Sequence, residues 1–208
     1  MATITSTSDR RQRRMLRAAA PLAGLLVAAL LVWQGSNAAF SATTDNTGDA
    51  WATGNLLLTN NGGGAAYSGT TAALFTENNL KPGNTGFKCI TVESTGSLAG
   101  NLRLYRGAIT GTNSAALSAV LDVTIDAVAV AAATNVQANC TGYTGGSGGA
   151  LYNGTLSAMP ATYAGASGMA VAGGTQRVAY RIGWTVNAGA GNSVQSSSAV
   201  ANLVWEIN

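Results

Sequence analysis

The chain carries two different hydrophobic patterns, and the boundary between them falls near residue 38. Residues 18–33 form an uncharged, mostly apolar run that follows a group of arginines at positions 10–17. A membrane-spanning helix needs about twenty apolar residues, so this shorter run is typical of the hydrophobic region of a signal peptide. Beyond the boundary, apolar and polar residues alternate in short stretches separated by Gly, Asn and Ser, which is the pattern of β-strands and turns.

The boundary has the small-x-small sequence that signal peptidases cleave. Ser36 and Ala38 occupy the two small positions, so we predict that residues 1–38 are a signal peptide cut between Ala38 and Ala39. The mature chain then has an extended arm at residues 39–49 and a folded domain at residues 50–208. On this hypothesis a signal peptidase is a partner of the chain, and the chain contacts the membrane only transiently, during export. The alternative is that the leader stays uncleaved as an anchor.

The clearest strand pattern runs from Arg177 to Val186, where alternate residues are apolar: Val178, Tyr180, Ile182, Trp184 and Val186. Such alternation points one face of a strand into a core and the other into solvent. Similar patterns predict further strands at residues 50–59, 87–94, 101–106, 117–126, 151–159 and 200–207. Propensity alone also allows a helix within residues 115–133. Seven or eight strands without a clear helix after residue 38 predict an all-β, two-sheet β-sandwich.

The distribution of charge argues against a nucleic-acid partner. The formal net charge is +3, but five of the eleven basic residues lie in the predicted signal peptide. Residues 39–208 hold six basic and seven acidic residues, which gives a net charge of −1. No basic patch remains after cleavage, so we predict no nucleic-acid binding. An apolar fraction of 47% also argues against a disordered chain.

The residue types leave little room for catalysis or metal binding. The chain has no histidine, which removes the commonest general base and metal ligand. Asp122 and Asp126 share one face of a predicted strand about 13 Å apart, too far for a shared-proton dyad, so we place both in solvent. Residues 45–49 resemble a calcium-loop fragment but lack the glycine and distal glutamate of an EF-hand. We therefore predict no enzymatic activity, no metal and no cofactor.

Two cysteines, Cys89 and Cys140, are present. An even number of cysteines in an exported chain predicts a disulfide between them. Closing a loop of about fifty residues stabilises a fold by about 4 kcal/mol in the chain-entropy model. The alternative is a pair of buried free thiols.

The arm ahead of the domain offers a means of assembly. An extended, uncharged segment such as residues 39–44 can add as a strand to an open sheet edge of another copy, with Phe40 filling a pocket. Donor and acceptor surfaces differ in such a contact, so it propagates head-to-tail into a filament. The alternative, that the arm pairs with its own domain as an ordinary first strand, fits the sequence equally well.

The order of several motifs resembles the TasA and camelysin family. The resemblance covers about half the chain and is densest from Ser36 to Tyr105. It rests on Ala39-Phe40-Ser41 with Asp45 and Asn46 behind it, Gly54-Asn55-Leu56-Leu57-Leu58, Leu80-Lys81-Pro82-Gly83, Cys89-Ile90-Thr91-Val92, Thr95-Gly96-Ser97-Leu98-Ala99-Gly100-Asn101-Leu102-Arg103-Leu104-Tyr105 and Tyr180-Arg181-Ile182.

The resemblance implies a jelly-roll sandwich, cleavage by a SipW-type signal peptidase and assembly into extracellular matrix fibres or pilus-like filaments. Carried over, the donor strand is Ala39, Phe40, Ser41, Ala42, Thr43, Thr44 and Asp45, continuing to about Asp49, with Phe40 as its anchor. Some relatives bear a metalloprotease label, which does not suit a chain without histidine or a zinc-ligand cluster. We therefore expect a secreted structural subunit that self-polymerises; the alternative is a monomeric surface-binding or adhesive module.

Overall fold

Nine strands in the described part of the chain form two antiparallel sheets. The computed structural model describes residues 42–45, 56–64, 66–69 and 71–208. In chain order the strands are β1 (Ala42–Asp45), β2 (Leu58–Asn60), β3 (Thr85–Ser94), β4 (Gly100–Arg106), β5 (Leu121–Val130), β6 (Tyr152–Thr155), β7 (Gly168–Val171), β8 (Gln176–Val186) and β9 (Leu203–Ile207). Sheet A has the order β1-β9-β4-β7 and sheet B the order β2-β3-β8-β5-β6. The predicted all-β, two-sheet architecture is confirmed.

The core lies between the sheets and follows the alternation of the sequence. Both sheets contribute alternate apolar side chains that are almost fully buried: Ile90, Val92, Leu102, Leu104, Val123, Ile125, Val178, Tyr180, Ile182, Trp205 and Ile207. Four of the five residues predicted to face inward from β8 are at most 2% exposed, and the fifth, Trp184, is partly buried. The period of two therefore identifies the inward face of this strand, which lies at the centre of sheet B.

Tyr180 lies at the centre of this core, with its ring edge-on to Trp205 at a centroid distance of 5.8 Å. Its hydroxyl has no hydrogen-bond partner within the described residues, and burial raises the pKa of the phenol far above its ordinary value near 10. The folded chain therefore keeps the Tyr180 hydroxyl proton, which the unfolded chain releases above pH 10. The free energy of unfolding is at its full value below that pH and falls as the pH rises above it.

Alkaline unfolding provides a test of this buried phenol. We expect the free energy of unfolding to fall above pH 10, with Tyr180 contributing a slope of about 1.4 kcal/mol per pH unit. Tyr180→Phe should remove that contribution while retaining the ring contact with Trp205. Urea unfolding at pH 8, 10 and 11 would measure the slope. If the free energy of unfolding fell with pH equally steeply in Tyr180→Phe and in the parent chain, the pH dependence would not come from Tyr180.

The segment predicted as a strand at residues 117–126 is divided in the structure. Helix α1 (Ser114–Val120) comes first, and β5 begins at Leu121. Alanine at positions 115, 116 and 119 favours the helix, whereas β-branched residues dominate the part after Leu121. The prediction of a strand was wrong for the first half, and the helical alternative was correct there.

Strand boundaries differ most at the sheet edges. The strand predicted at residues 50–59 appears as β2 only from Leu58, and residues 50–55 lie outside the described residues. The strand predicted from residue 151 ends at Thr155, where a 3₁₀ turn (Leu156–Ala158) begins. Strand β7 was not predicted, because its sequence Gly-Met-Ala-Val has no polar–apolar alternation.

Two loops cover part of the outer face of sheet B. Asn61, in the glycine-rich segment that follows β2, is 3% exposed and ties the loops together. Its amide nitrogen donates to the carbonyl oxygens of Gly64 and Val136, both at 2.9 Å, and its amide oxygen accepts from the backbone N–H of Thr91 at 2.8 Å. Ala179, on the β8 face predicted to meet solvent, is therefore fully buried beneath Val136.

Candidate functional site

The arm is described at residues 42–45, where it forms strand β1 against β9 of the same chain. The strands are antiparallel, with Ala42 opposite Ile207, Thr43 opposite Glu206, Thr44 opposite Trp205 and Asp45 opposite Val204. Within this single chain, the pairing is the one expected of an ordinary first strand. The remaining predicted arm residues, Ala39, Phe40, Ser41 and 46–49, lie outside the described residues, as does the predicted cleavage site at Ala38 and Ala39.

Strand β1 has a sheet neighbour on one side. In sheet A it pairs with β9, and β9 is held on its other side by β4. The backbone of β1 also approaches β2, the edge strand of sheet B. Strand β1 therefore lies along the lateral edge where the two sheets meet, and its outer backbone edge pairs with no other strand of the described residues. A strand edge of this kind is a template for pairing with another chain.

Strand β9, which pairs with β1 in sheet A, is firmly anchored in the core. Trp205 and Ile207 of β9 are both fully buried, and Leu58 of the facing β2 is 1% exposed. The hydroxyl of Tyr105 on β4 donates to the carboxylate of Glu206 at 2.8 Å, which joins the two strands on their outer face. The sequence could not identify β9 as the partner of the arm, because the pairing joins residues more than 150 positions apart. The alternation of Leu203, Trp205 and Ile207 predicts a strand, but it does not predict which strand pairs with it.

The predicted disulfide between Cys89 and Cys140 is present. Its two Cα atoms are 5.0 Å apart, and it links β3 to the loop that follows β5. Cys89 is fully buried and packs with Val136 and Ala179 in a second small core on the outer face of sheet B. Disulfides are typical of proteins in oxidising, non-cytoplasmic environments.

The two aspartates predicted to share a solvent face have different environments. Asp122 is partly exposed, but Asp126 is only 3% exposed, which corrects the prediction for that residue. The carboxylate of Asp126 accepts hydrogen bonds from the backbone N–H groups of Gly149 at 2.7 Å and Ala150 at 2.9 Å. Arg181 lies opposite it on β8. A buried carboxylate with such partners organises the Gly-rich loop that precedes β6.

Asp126 and Asp122 form a matched pair for mutation. We expect Asp126→Ala to lower the free energy of unfolding by about 2–3 kcal/mol, because two part-buried backbone N–H groups lose a charged acceptor. Asp122→Ala should change it by less than about 0.5 kcal/mol. Chemical denaturation of both variants measures the difference. Equal effects from the two substitutions would show that the Asp126 hydrogen bonds contribute little.

The described residues contain no group of three or more Cys, Asp or Glu side chains placed to hold a metal ion. Of the suspected calcium-loop fragment at residues 45–49, only residue 45 is described. No helix among the described residues is long and apolar enough to cross a membrane. The one candidate site that the sequence predicted and the structure partly describes is therefore the arm on its sheet edge.

Comparison of the chain with protein-family models, with curated proteins and with solved structures finds no match. The resemblance to the TasA and camelysin family therefore rests on sequence motifs alone. The candidate functional site is described by this chain's own features: the edge strand β1, its sheet neighbour β9 and a disulfide-linked loop on the opposite sheet.

Proposed function

We propose that this chain is a secreted structural subunit that polymerises head-to-tail by donating its N-terminal strand to another copy, forming extracellular matrix fibres or pilus-like filaments. The supporting observation is β1. Residues 42–45 adopt a strand conformation and pair with one neighbour at the end of sheet A. Such a short terminal strand can exchange into another copy at low cost, because the backbone hydrogen bonds broken in one chain are replaced by equivalent bonds in the next.

The strand order supports a jelly roll as the finer description of the sandwich. The pairs β1–β9, β3–β8, β4–β7 and β5–β6 are nested, as in one long antiparallel hairpin folded over on itself. Successive pairs alternate between the two sheets, and β2 adds a short strand at the edge of sheet B. Two four-stranded sheets built in this way are the architecture of a jelly roll.

The proposal includes export of the subunit. Residues 1–38 act as a signal peptide that a signal peptidase removes between Ala38 and Ala39, so that contact with the membrane is transient. The disulfide supports a final location outside the reducing cytoplasm. The subunit has no enzymatic role in this proposal, and its partner is a second copy of itself. Within the filament, residues 39–45 contact the acceptor and Phe40 anchors the arm.

A second candidate function is a monomeric surface-binding or adhesive module. The observation that favours it is the pairing of β1 with β9 inside one chain, which leaves the arm occupied. The two candidates differ in one respect: the filament requires residues 42–45 to leave their own β9, whereas the monomeric module does not.

Electron microscopy of defined variants tests the proposal. We expect the mature chain, residues 39–208, to form filaments in negative stain, and deletion of residues 39–49 to abolish them. A second variant, Thr43→Cys/Glu206→Cys, should lock the arm in its own chain when oxidised. The two residues are directly opposite in the β1–β9 register, at a separation that suits a disulfide. It should remain monomeric.

The matched control is Thr43→Ser/Glu206→Ser, which changes the same positions without a cross-link and should still polymerise. Circular dichroism shows whether each variant keeps its β-structure. Filaments from the cross-linked variant would contradict strand donation. Monodisperse particles from the mature chain over a range of salt and protein concentrations would favour the monomeric module.

A further inference from the structure

Loops cover the outer face of sheet B around Ala179, and the other end of that face is exposed. The strand register places two rows of residues there, each crossing β3, β8, β5 and β6: Thr85, Thr185, Asp122 and Thr155 in one row, and Phe87, Gly183, Thr124 and Asn153 in the other. We call these residues the platform. With strands about 4.8 Å apart, each row is about 14 Å long, so the platform is longer than a single small-molecule ring.

Phe87 is the aromatic residue of the platform and is 47% exposed. The guanidinium carbon of Arg181 lies 4.4 Å from the centre of its ring, so a cation–π contact holds one face of the ring in place. Next to Phe87, a Cβ at Gly183 would lie 2.7 Å from Oγ1 of Thr124, closer than any real contact. The glycine therefore leaves a shallow depression between an ordered aromatic ring and a hydroxyl group.

The polar groups of the platform can both donate and accept hydrogen bonds. The hydroxyl of Thr85 donates to the backbone carbonyl of Trp184 at 2.8 Å and lies 3.0 Å from the hydroxyl of Thr185, which fixes both side chains. Asn153 is exposed and carries an amide, which is both donor and acceptor. The carboxylate of Asp122 is partly exposed and forms no salt bridge with another described residue.

The charges on and beside the platform are balanced. The formal charges of Asp122 and Arg181 cancel, and the guanidinium of Arg181 already lies over the Phe87 ring. An anionic polymer needs several basic groups in a row, which the platform lacks. A neutral ligand with many hydroxyl groups suits this surface better, because each platform side chain can exchange a hydrogen bond with water for one with the ligand.

We propose that the platform binds neutral polysaccharide chains. A sugar ring has an apolar face of C–H groups and a rim of hydroxyl groups. The C–H face packs against the exposed part of the Phe87 ring, whose faces are electron-rich. The hydroxyl groups bind the carboxylate of Asp122, the amide of Asn153 and the threonine hydroxyls. The platform belongs to sheet B and the arm to sheet A, so the site does not depend on polymerisation.

Isothermal titration calorimetry of the mature chain, residues 39–208, provides the test, because it measures binding per subunit whether or not the chain polymerises. The neutral probes are cellohexaose, laminarihexaose and chitohexaose, and oligogalacturonate is the anionic comparison. We expect at least one neutral probe to bind with a Kd of roughly 0.1–1 mM. The affinity should change little between low and high salt, because no net charge is involved. Oligogalacturonate should bind more weakly.

Substitutions at the platform have a matched control at the far end of β3. Phe87→Ala should weaken binding about tenfold or more, whereas Phe87→Trp keeps an aromatic ring and should retain it. Asp122→Ala should weaken binding about fivefold without unfolding the chain. The control is Leu57→Ala: Leu57 is 50% exposed, and its carbonyl accepts from the N–H of Thr95, about 26 Å along β3 from Phe87. It should bind as the parent does.

Three results would each overturn the proposal: no binding of any neutral probe at millimolar concentration, parent-like binding by a folded Phe87→Ala variant, or an equal loss in Leu57→Ala. Tighter, salt-sensitive binding of oligogalacturonate would also overturn it, since an ionic surface would then be responsible. Circular dichroism shows that each variant is folded. The absence of filaments in electron microscopy would count against strand donation alone, so the two proposals can fail separately.

Discussion

Replacing Cys89 and Cys140 together by alanine is expected to lower the free energy of unfolding by about 4 kcal/mol. The disulfide joins residues 51 positions apart, and the chain-entropy model assigns about this stabilisation to a loop of that length. Part of the loss also comes from packing, because Cys89 is fully buried against Val136 and Ala179. Since a domain of this kind is stable by only about 5–15 kcal/mol, the variant should unfold at a much lower urea concentration.

Equilibrium unfolding in urea, monitored by far-UV circular dichroism, measures the loss. The matched control is Thr141→Ala, beside Cys140 in the same loop: its side chain is exposed, and its backbone N–H donates to Asn139 whatever the side chain. The control should lie within about 0.5 kcal/mol of the parent. A double cysteine variant that unfolds within 1 kcal/mol of the parent would show that the loop is held by other contacts.

The disulfide and the central strands could be predicted because each depends on information that is local or simple to count. Two cysteines allow only one pairing within the chain. Strands β3, β4 and β8 lie within one or two residues of their predicted bounds, because alternation over seven or more residues is a strong signal for a half-buried strand.

The errors have a common physical origin in contacts that are distant along the chain. Asp126 alternates like a solvent residue, but the loop around residues 149–150 folds over it and supplies two N–H donors. Ala179 is on the predicted solvent face and is buried for the same reason. A period of two identifies which residues share a face of a strand, but a loop elsewhere in the sequence decides whether that face meets water.

The candidate site shows the same limit more clearly. The sequence identified an extended arm and left two arrangements open, since a strand-forming segment does not specify the chain with which it pairs. The pairing of residues 42–45 with β9 in one chain gives the arm a defined register, and the same register is available to a second copy. Which of the two forms prevails depends on subunit concentration and on how firmly β9 is held in the core.

Trp205 determines how firmly β9 is held, and Trp205→Ala is expected to lower the free energy of unfolding by about 3–5 kcal/mol. The side chain is fully buried, packs edge-on against Tyr180, and lies opposite Thr44 of β1 and Leu104 of β4. The truncation therefore leaves a large cavity beneath the strand that carries the arm. We expect the backbone amides of β1 and β9 to lose hydrogen-exchange protection in proportion to the loss of stability.

Trp205→Phe is the conservative partner of this variant, because it retains a ring against Tyr180 and removes an indole N–H that has no partner within the described residues. We expect it to lose less than half as much stability, and to remain folded if the alanine variant does not. Urea unfolding of both variants, with hydrogen exchange of the phenylalanine variant, separates the cavity from the ring contact. If both substitutions lowered the free energy of unfolding equally, the specific shape of the indole, more than the volume it fills, would be what holds β9 and its neighbour β1 in place.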